Sequence, residues 1–363
     1  MTYNAKYIIF IYMSILDFFR SLGKRGALDK QAEPTNSQPT QETEQVKPEE
    51  RFILCIDGGG MRGTIPSVYL KKLEEEIRNQ GGNNSLDSYF DLIAGTSTGG
   101  LIVLALTCPS AFGYKLCDNA PQVKLDEILE QYRTIGKEIF PTSGFNDIRH
   151  LTTTKYPGTG IEKVLKDWFA DSLMGQASVP TLIMSYDLFN GSPYPIRSYE
   201  ERTFLVRDAG RATSAAPTYF PPLIKEGKIL VDGGVVANNP SLYAYLEAKK
   251  LYPNCKKFNI LSMSTGDKRH TMSLEETNGL WSWKHNVVPM YSTAQVCTAE
   301  TVLRNMADVN YVRINDALKT KIKMDDSSPE SFKLMEEFAQ EVATTRETEF
   351  KDFAFALVNS KHI

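Results

Sequence analysis

A chain of 363 residues is long enough for one large α/β domain with additions, or for two domains of ordinary size. Its formal net charge of −3 argues against nucleic-acid binding, since a nucleic-acid-binding domain carries an excess of Lys and Arg. The five cysteines lack the C-x-x-C spacing of a zinc or redox site, which favours reduced thiols in a cytosolic protein. Cys55 lies in an apolar run and is expected to act as a small hydrophobic residue.

Residues 1–26 form an apolar, aromatic segment that ends in basic residues. Three interpretations are open: a helix lying in a membrane interface, a helix docked on the protein's own core, and a secretory signal. The signal lacks the small residues of a cleavage site, and no run reaches the roughly 20 apolar residues that span a bilayer. We therefore expect a cytoplasmic protein in peripheral contact with a membrane. Residues 27–50, rich in Gln, Glu, Thr, Pro and Ser, predict a flexible linker.

From residue 51 onwards, strand and helix patterns alternate, and we expect a single domain over residues 51–363. Strands are predicted at 52–56, 92–94, 181–187, 203–206, 228–231 and 258–263. Helices are predicted at 65–80, 101–106, 124–139, 161–173 and 209–216, and the part from about residue 268 is expected to be mainly helical. This alternation predicts an α/β layer architecture with an at least partly parallel sheet.

One short motif lies between a buried strand and a helix. Gly95-Thr96-Ser97-Thr98-Gly99 fits the G-x-S-x-G nucleophile elbow, in which a sharp turn holds a serine out of the sheet. Glycines flank the serine because strand and helix pack there without room for Cβ atoms. The motif is short, so its meaning depends on finding partners for Ser97.

A glycine-rich loop follows the first predicted strand. Its sequence is Asp57-Gly58-Gly59-Gly60-Met61-Arg62-Gly63. The loop fits the dinucleotide fingerprint G-x-G-x-x-G, but it also suits an oxyanion hole, because consecutive amides at a helix start attract negative charge. A pyrophosphate would lie beside the Asp57 carboxylate unless Arg62 paired with it, and a nucleotide site gives no reason for an elbow on the next strand. The oxyanion hole is therefore favoured.

A serine nucleophile also needs a base. Of the four histidines, only His270 and His285 fit the order Ser, Asp or Glu, His of a hydrolase triad, and neither follows a clear strand. Asp232 does follow one and precedes Gly233-Gly234. Burial that raised its pKa would let this carboxylate act as the base directly, although an aspartate that only caps its own turn is also common.

Four blocks now occur in a characteristic order. They are the glycine loop, the elbow, Ser214-Ala215-Ala216-Pro217-Thr218-Tyr219-Phe220-Pro221 and Asp232-Gly233-Gly234. Together they resemble the signature blocks of the patatin-like phospholipases, over about residues 51–267. The resemblance implies a three-layer α/β/α fold with a central, mostly parallel sheet and a Ser–Asp dyad. It also implies hydrolysis of fatty-acyl esters of membrane phospholipids or galactolipids, with no metal or other cofactor.

The resemblance carries over residue by residue. Ser97 matches the nucleophile, Asp232 the base, and the amides of Gly58, Gly59 and Gly60 the oxyanion hole. Arg62 would brace the glycine loop or meet a lipid phosphate. The two turns would be supported by Gly95, Gly99, Gly233 and Gly234.

Other classes of function stay open at this stage. Some bacterial patatin-like proteins are switched on by cyclic nucleotides in antiviral defence, and the residues after 267 or the loop at 156–160 could hold such a small-molecule activator. A Ser-His-Asp esterase using His270 or His285 is another alternative. A catalytically idle storage or binding protein is disfavoured, because all the chemical parts are present.

Overall fold

The computed structural model describes residues 49–113, 123–141, 153–266 and 269–360. The apolar segment at 1–26 and nearly all of the expected linker lie outside these residues. His150, His362 and the side chain of His285 also lie outside them.

One mixed sheet contains the eight strands of the described residues. The strands are β1 (Glu50–Ile56), β2 (Leu92–Thr96), β3 (Thr181–Asp187), β4 (Ser192–Arg197), β5 (Leu223–Lys225), β6 (Lys228–Asp232), β7 (Lys257–Met263) and β8 (Val309–Ile314). Their order is β5-β6-β3-β2-β1-β7-β8, with β4 also paired to β3. Strands β3, β2, β1, β7 and β8 run parallel, whereas β4, β5 and β6 join by antiparallel pairing.

Ten α-helices lie in the described residues. They are α1 (Thr64–Asn79), α2 (Thr98–Thr107), α3 (Val123–Ile139), α4 (Thr159–Phe169), α5 (Val206–Thr213), α6 (Gly234–Ala237), α7 (Ser241–Leu251), α8 (Gly279–Arg304), α9 (Pro329–Thr345) and α10 (Glu347–Val358). None of these described helices combines the length and apolarity needed to cross a lipid bilayer.

Helices cover both faces of the sheet. Alternate residues of β1 point to opposite sides, so that Leu54 and Ile56 join the core under α1, α2, α3, α9 and α10. Ile53 and Cys55 join a second core under α6, α7 and α8. This arrangement explains the unbroken apolar run in β1 and confirms the three-layer α/β/α fold with a mostly parallel sheet. Burial raises the pKa of the Cys55 thiol to about 12, as suits a hydrophobic residue.

Local sequence accounts for the ends of the first helix. Pro66 lies in its first turn, where a missing amide hydrogen costs little. Gly81 follows the helix with φ of 89°, a conformation that glycine adopts without strain, and the Gly82 amide bonds back to the Ile77 carbonyl at 2.9 Å.

The strand predicted at residues 203–206 is wrong. The Phe204 amide closes a turn onto the Glu201 carbonyl at 3.0 Å, Leu205 makes only an isolated bridge, and α5 begins at Val206. Five elements were not predicted: β4, β5, α6, α7 and β8. Strand β4 contains two prolines, which it tolerates because it pairs with β3 alone.

Candidate active site

The ends of two strands meet beside β3. Strand β4 occupies one edge of β3, where Met184 pairs with Pro195. Strands β2 and β6 therefore share the other edge, β2 ending where Thr96 pairs with Met184 and β6 ending where Asp232 pairs with the next residue, Ser185. Because β2 and β6 run in opposite directions along this edge, their carboxyl ends face each other. Ser97 and Asp232 are brought together by this register.

Ser97 occupies a strained turn between β2 and α2. Its φ of 53° and ψ of −125° lie in a region that residues with a Cβ rarely adopt. Its amide donates to the Thr213 hydroxyl at 2.8 Å, and that hydroxyl donates onward to the Met184 carbonyl at 2.6 Å. A Cβ at Gly99 would lie 2.2 Å from the Ile56 carbonyl oxygen, so only glycine allows α2 to approach β1 this closely. A Cβ at Gly95 would likewise lie 2.4 Å from the Gly99 carbonyl oxygen.

Asp232 is buried, with 5% of its surface exposed. One carboxylate oxygen accepts the Gly234 amide at 2.7 Å. Burial raises the pKa of Asp232 to about 6, against the opposing effects of the Gly234 amide and of the nearby Ser97 side chain. The Asp232 amide donates to the Ala215 carbonyl at 3.0 Å, which connects Asp232 to the third sequence block. A Cβ at Gly233 would lie 2.4 Å from the Met184 carbonyl oxygen, so this turn needs its glycine.

The three glycine amides of the loop after β1 are not equivalent. The Gly58 amide donates to the Asn238 carbonyl at 3.1 Å, and Met61 donates to another carbonyl at 2.7 Å. Among the described residues, the amides of Gly59 and Gly60 have no hydrogen-bond acceptor. Of the three amides expected to form an oxyanion hole, those of Gly59 and Gly60 are therefore the two candidate donors.

Arg62 braces this loop. Its guanidinium is buried and its Nε donates to the Gly59 carbonyl at 3.3 Å. Only 8% of the surface of Arg62 is exposed, and this burial favours the bracing role over contact with a lipid phosphate.

Asp57 pairs with a residue that the sequence did not indicate. Arg313 on β8 donates through Nη1 to Asp57 at 2.8 Å and through Nη2 to its second oxygen, while its Nε contacts Glu300 of α8 at 3.1 Å. The partner considered for Asp57 in the sequence was Arg62. A lone arginine in the alternating run that forms β8 was the available signal, since a charge on a buried strand needs a partner.

Two further polar residues join the blocks. Thr213 holds the Ser97 amide, and Asn238 donates through Nδ2 to the Gly58 carbonyl at 3.4 Å. Thr213 directly precedes the third block, but its contact with Ser97 crosses between elements. Sequence periodicity carries no information about such a contact.

No histidine takes part in the contacts of Ser97 and Asp232 among the described residues. The backbone amide of His270 donates to Thr293 of α8, and its Nε2 is buried without a hydrogen-bond partner among the described residues. His270 is therefore not hydrogen-bonded to Ser97 in this structure.

A mostly parallel sheet whose buried strand ends in a strained serine turn is the architecture of a class of hydrolases that cleave carboxylic esters. A family model described as patatin-like phospholipase matches residues 54–245. Patatin-like protein 2 of Arabidopsis thaliana is 33% identical over 308 residues, which cover 73% of this chain and 75% of that protein. The chain belongs to the patatin-like phospholipase family, and this match indicates a lipid acyl hydrolase acting on ester bonds.

The chain is also similar to a second plant protein and to one solved structure. A protein of Solanum tuberosum called probable inactive patatin-3-Kuras 1 is 30% identical, over 76% of this chain and 82% of that protein. The crystal structure of VipD from Legionella pneumophila aligns with a TM-score of 0.39 and 11% identity, over 86% of this chain and 67% of that chain.

Proposed function

We propose that this chain is a phospholipase A-type lipid acyl hydrolase that uses Ser97 as nucleophile and Asp232 as base. The observation that carries the proposal is the strand register that sets the strained Ser97 turn opposite the buried Asp232 carboxylate, with two glycine amides nearby that have no acceptor among the described residues. One relative is called probable inactive. In this chain the strained serine turn, the buried aspartate and the glycine loop are all present, which supports activity.

The reaction follows from these groups. As Ser97 Oγ attacks the ester carbonyl, its proton moves to Asp232. The developing oxyanion accepts hydrogen bonds from the amides of Gly59 and Gly60. Collapse of the tetrahedral intermediate breaks the ester C–O bond, and the proton passes from Asp232 to the departing alcohol. Asp232 then deprotonates a water molecule that attacks the acyl-enzyme, and the fatty acid leaves as Ser97 regains its proton. The fatty-acyl esters of membrane phospholipids or galactolipids are the proposed substrates.

The raised pKa of Asp232 suits this role. With a pKa of about 6, the group is mostly a carboxylate at neutral pH, and it is more basic than an ordinary aspartate. We expect kcat/KM for a short-chain ester to rise with pH through about 6, because only the ionised carboxylate accepts the serine proton. A rate that stayed constant between pH 4.5 and 8 would contradict the base role.

The experiment compares substitutions at the pair with matched controls. Ser97→Ala and Asp232→Asn should each lower hydrolysis of a short-chain ester by at least about a thousandfold. Asp171→Asn, at an aspartate whose side chain is 84% exposed, should leave the rate unchanged. Mass spectrometry of the products from mixed phospholipid vesicles identifies the bond that is cleaved.

Two outcomes would overturn the dyad. One is full activity of Ser97→Ala or Asp232→Asn. The other is loss of activity in His270→Ala or His285→Ala with the fold intact, which would favour the histidine triad.

A further inference from the structure

The first half of α8 exposes apolar side chains to water. Trp281 is 76% exposed, Val288 74% and Tyr291 57%. The second half is different, since Ala299 and Leu303 are buried in the core. The first half of the helix is therefore more exposed than the second half.

The most exposed apolar residues of this half share one side of the helix. Residues 287–291 are Val, Val, Pro, Met and Tyr, and all five are exposed. The exposure is uneven, since Val287 is 44% and Met290 37% exposed, whereas Val288 is 74% and Tyr291 57% exposed. Trp281, Val288 and Tyr291 are seven and three residues apart, so at 3.6 residues per turn they share one side of the helix. A helix that lies in the plane of a membrane interface presents such an apolar stripe to the lipid.

Two features of this segment are typical of the membrane interface. Trp281 and Tyr291 are the residue types enriched at the level of lipid headgroups. The Lys284 ammonium lies 5.0 Å from the centre of the Trp281 ring, so an apolar ring and a cation share this surface.

The helix that carries the exposed segment is connected to the candidate active site by hydrogen bonds. Gln295 on the same helix donates through Nε2 to the Val235 carbonyl at 2.7 Å. Val235 lies in α6, whose first residue, Gly234, donates to Asp232. The base and the exposed half of α8 are thus linked through one short helix.

We propose that residues 281–291 of α8 form the surface with which this protein docks on a lipid bilayer. The proposal rests on the proposed function, because a phospholipase whose substrate lies in a membrane needs an apolar contact close to its serine. Docking there places the linked Asp232 and Ser97 at the bilayer that supplies the ester.

Vesicle binding of full-length protein tests the proposal without catalysis. In a Ser97→Ala background, Trp281→Ala with Val288→Ala should lower the partition onto phosphatidylcholine vesicles by about tenfold or more, since two large apolar contacts are lost. The matched control is Leu334→Ala with Phe355→Ala, which removes exposed apolar side chains from α9 and α10. These helices pack on α1 in the other helical layer, so this variant should bind as the parent does.

Fluorescence gives an independent measurement. Phosphatidylcholine with brominated acyl chains should quench tryptophan emission of the parent, and Trp281→Phe combined with Trp283→Phe should remove most of that quenching, because the remaining tryptophan, Trp168, is buried in the core. With Ser97 restored, the ratio of vesicle hydrolysis to short-chain ester hydrolysis should fall in the Trp281→Ala, Val288→Ala variant.

Three results would be decisive against α8 docking. Unchanged vesicle binding of the α8 variant would show that the membrane contact lies elsewhere, for example at residues 1–26. Conversion of a lipid-free dimer to a monomer by the α8 substitutions, with vesicle binding unchanged, would identify a second copy as the occupant. An equal loss of binding in the control variant would show that the effect is not specific. If the protein binds vesicles through α8 but hydrolyses no short-chain ester, the proposed function fails and the docking surface stands.

Discussion

Asp232 must be a carboxylate to act as a base, yet it is almost completely buried. Burial raises its pKa from 3.8 to about 6, so the folded state holds the proton more tightly than the unfolded state does. The resulting stabilisation is present below pH about 4 and is lost as pH rises through about 6. At neutral pH the ionised Asp232 therefore lowers the free energy of unfolding.

The substitution Asp232→Asn should make this cost measurable. At pH 8 the variant should have a higher free energy of unfolding than the parent, by up to about 3 kcal/mol, because it buries no charge. Near pH 4 the difference should vanish, since the parent aspartate is then protonated. Denaturant titrations at the two pH values measure the effect. A gain that was equal at both would assign it to a cause other than ionisation.

The strained backbone of Ser97 allows a second prediction at this scale. Ser97→Gly and Ser97→Ala both remove the hydroxyl, but only glycine adopts φ of 53° and ψ of −125° without strain. We expect Ser97→Gly to be more stable than Ser97→Ala by about 1 kcal/mol in chemical denaturation. This difference is the backbone strain that glycine relieves, less the extra conformational entropy that glycine loses on folding. Equal stability of the two variants would mean that the turn stores no strain.

At the scale of elements, β8 connects the last third of the chain to the glycine loop. Its Arg313 is 7% exposed and holds the carboxylates of Asp57 and Glu300. Removing one partner of a buried ion pair leaves an uncompensated charge. This contact makes residues beyond 267 part of the support for the candidate oxyanion hole.

We predict that Arg313→Met lowers the free energy of unfolding by about 3 to 5 kcal/mol. Arg346 offers a matched control, because it also contacts two carboxylates, those of Asp316 and Glu349, but its side chain is 36% exposed. Arg346→Met should cost less than about 1 kcal/mol, because water screens an exposed pair. Similar costs for the two variants would show that burial does not set the strength of the Arg313 network.

The elements themselves were largely predictable from sequence. Apolar runs indicated β1, β2, β3, β6, β7 and α2, and helical patterns indicated α1, α3 and α4, because these patterns record which faces are buried. A run of small residues indicated α5. The strand expected at 203–206 was wrong, since its apolar residues are buried by a turn and a helix start instead. Strand β8 was missed because its buried Arg313 and its asparagine interrupt the apolar run.

For the whole molecule, the family match understates how much chain the fold needs. The match ends at residue 245, whereas helices α9 and α10 cover α1. The ring of Phe350 lies 6.1 Å from that of Tyr69, and Phe353 lies 5.9 Å from Phe52 of β1. Without these helices a large apolar face of α1 and β1 would be in water.

A chain restricted to residues 49–266 should therefore fail to fold cooperatively, whereas residues 49–363 should unfold in one transition. The shorter chain loses β8, the Arg313 partner of Asp57 and the cover of α1. Thermal melts followed by far-ultraviolet circular dichroism compare the two chains. A cooperative melt of residues 49–266 would refute this requirement.

The sequence by itself determined the local chemistry and the fold class. A strained serine turn, a glycine loop and an aspartate before two glycines are set by residues adjacent in the chain, and the alternation of apolar patterns sets the layers. Only the tertiary structure decided which of these groups meet. The opposed pairing of β2 and β6 with one edge of β3 brings Asp232 to Ser97, Asn238 engages the Gly58 amide, and Arg313 reaches Asp57. Such contacts depend on strand register and packing between distant segments, which local patterns do not encode.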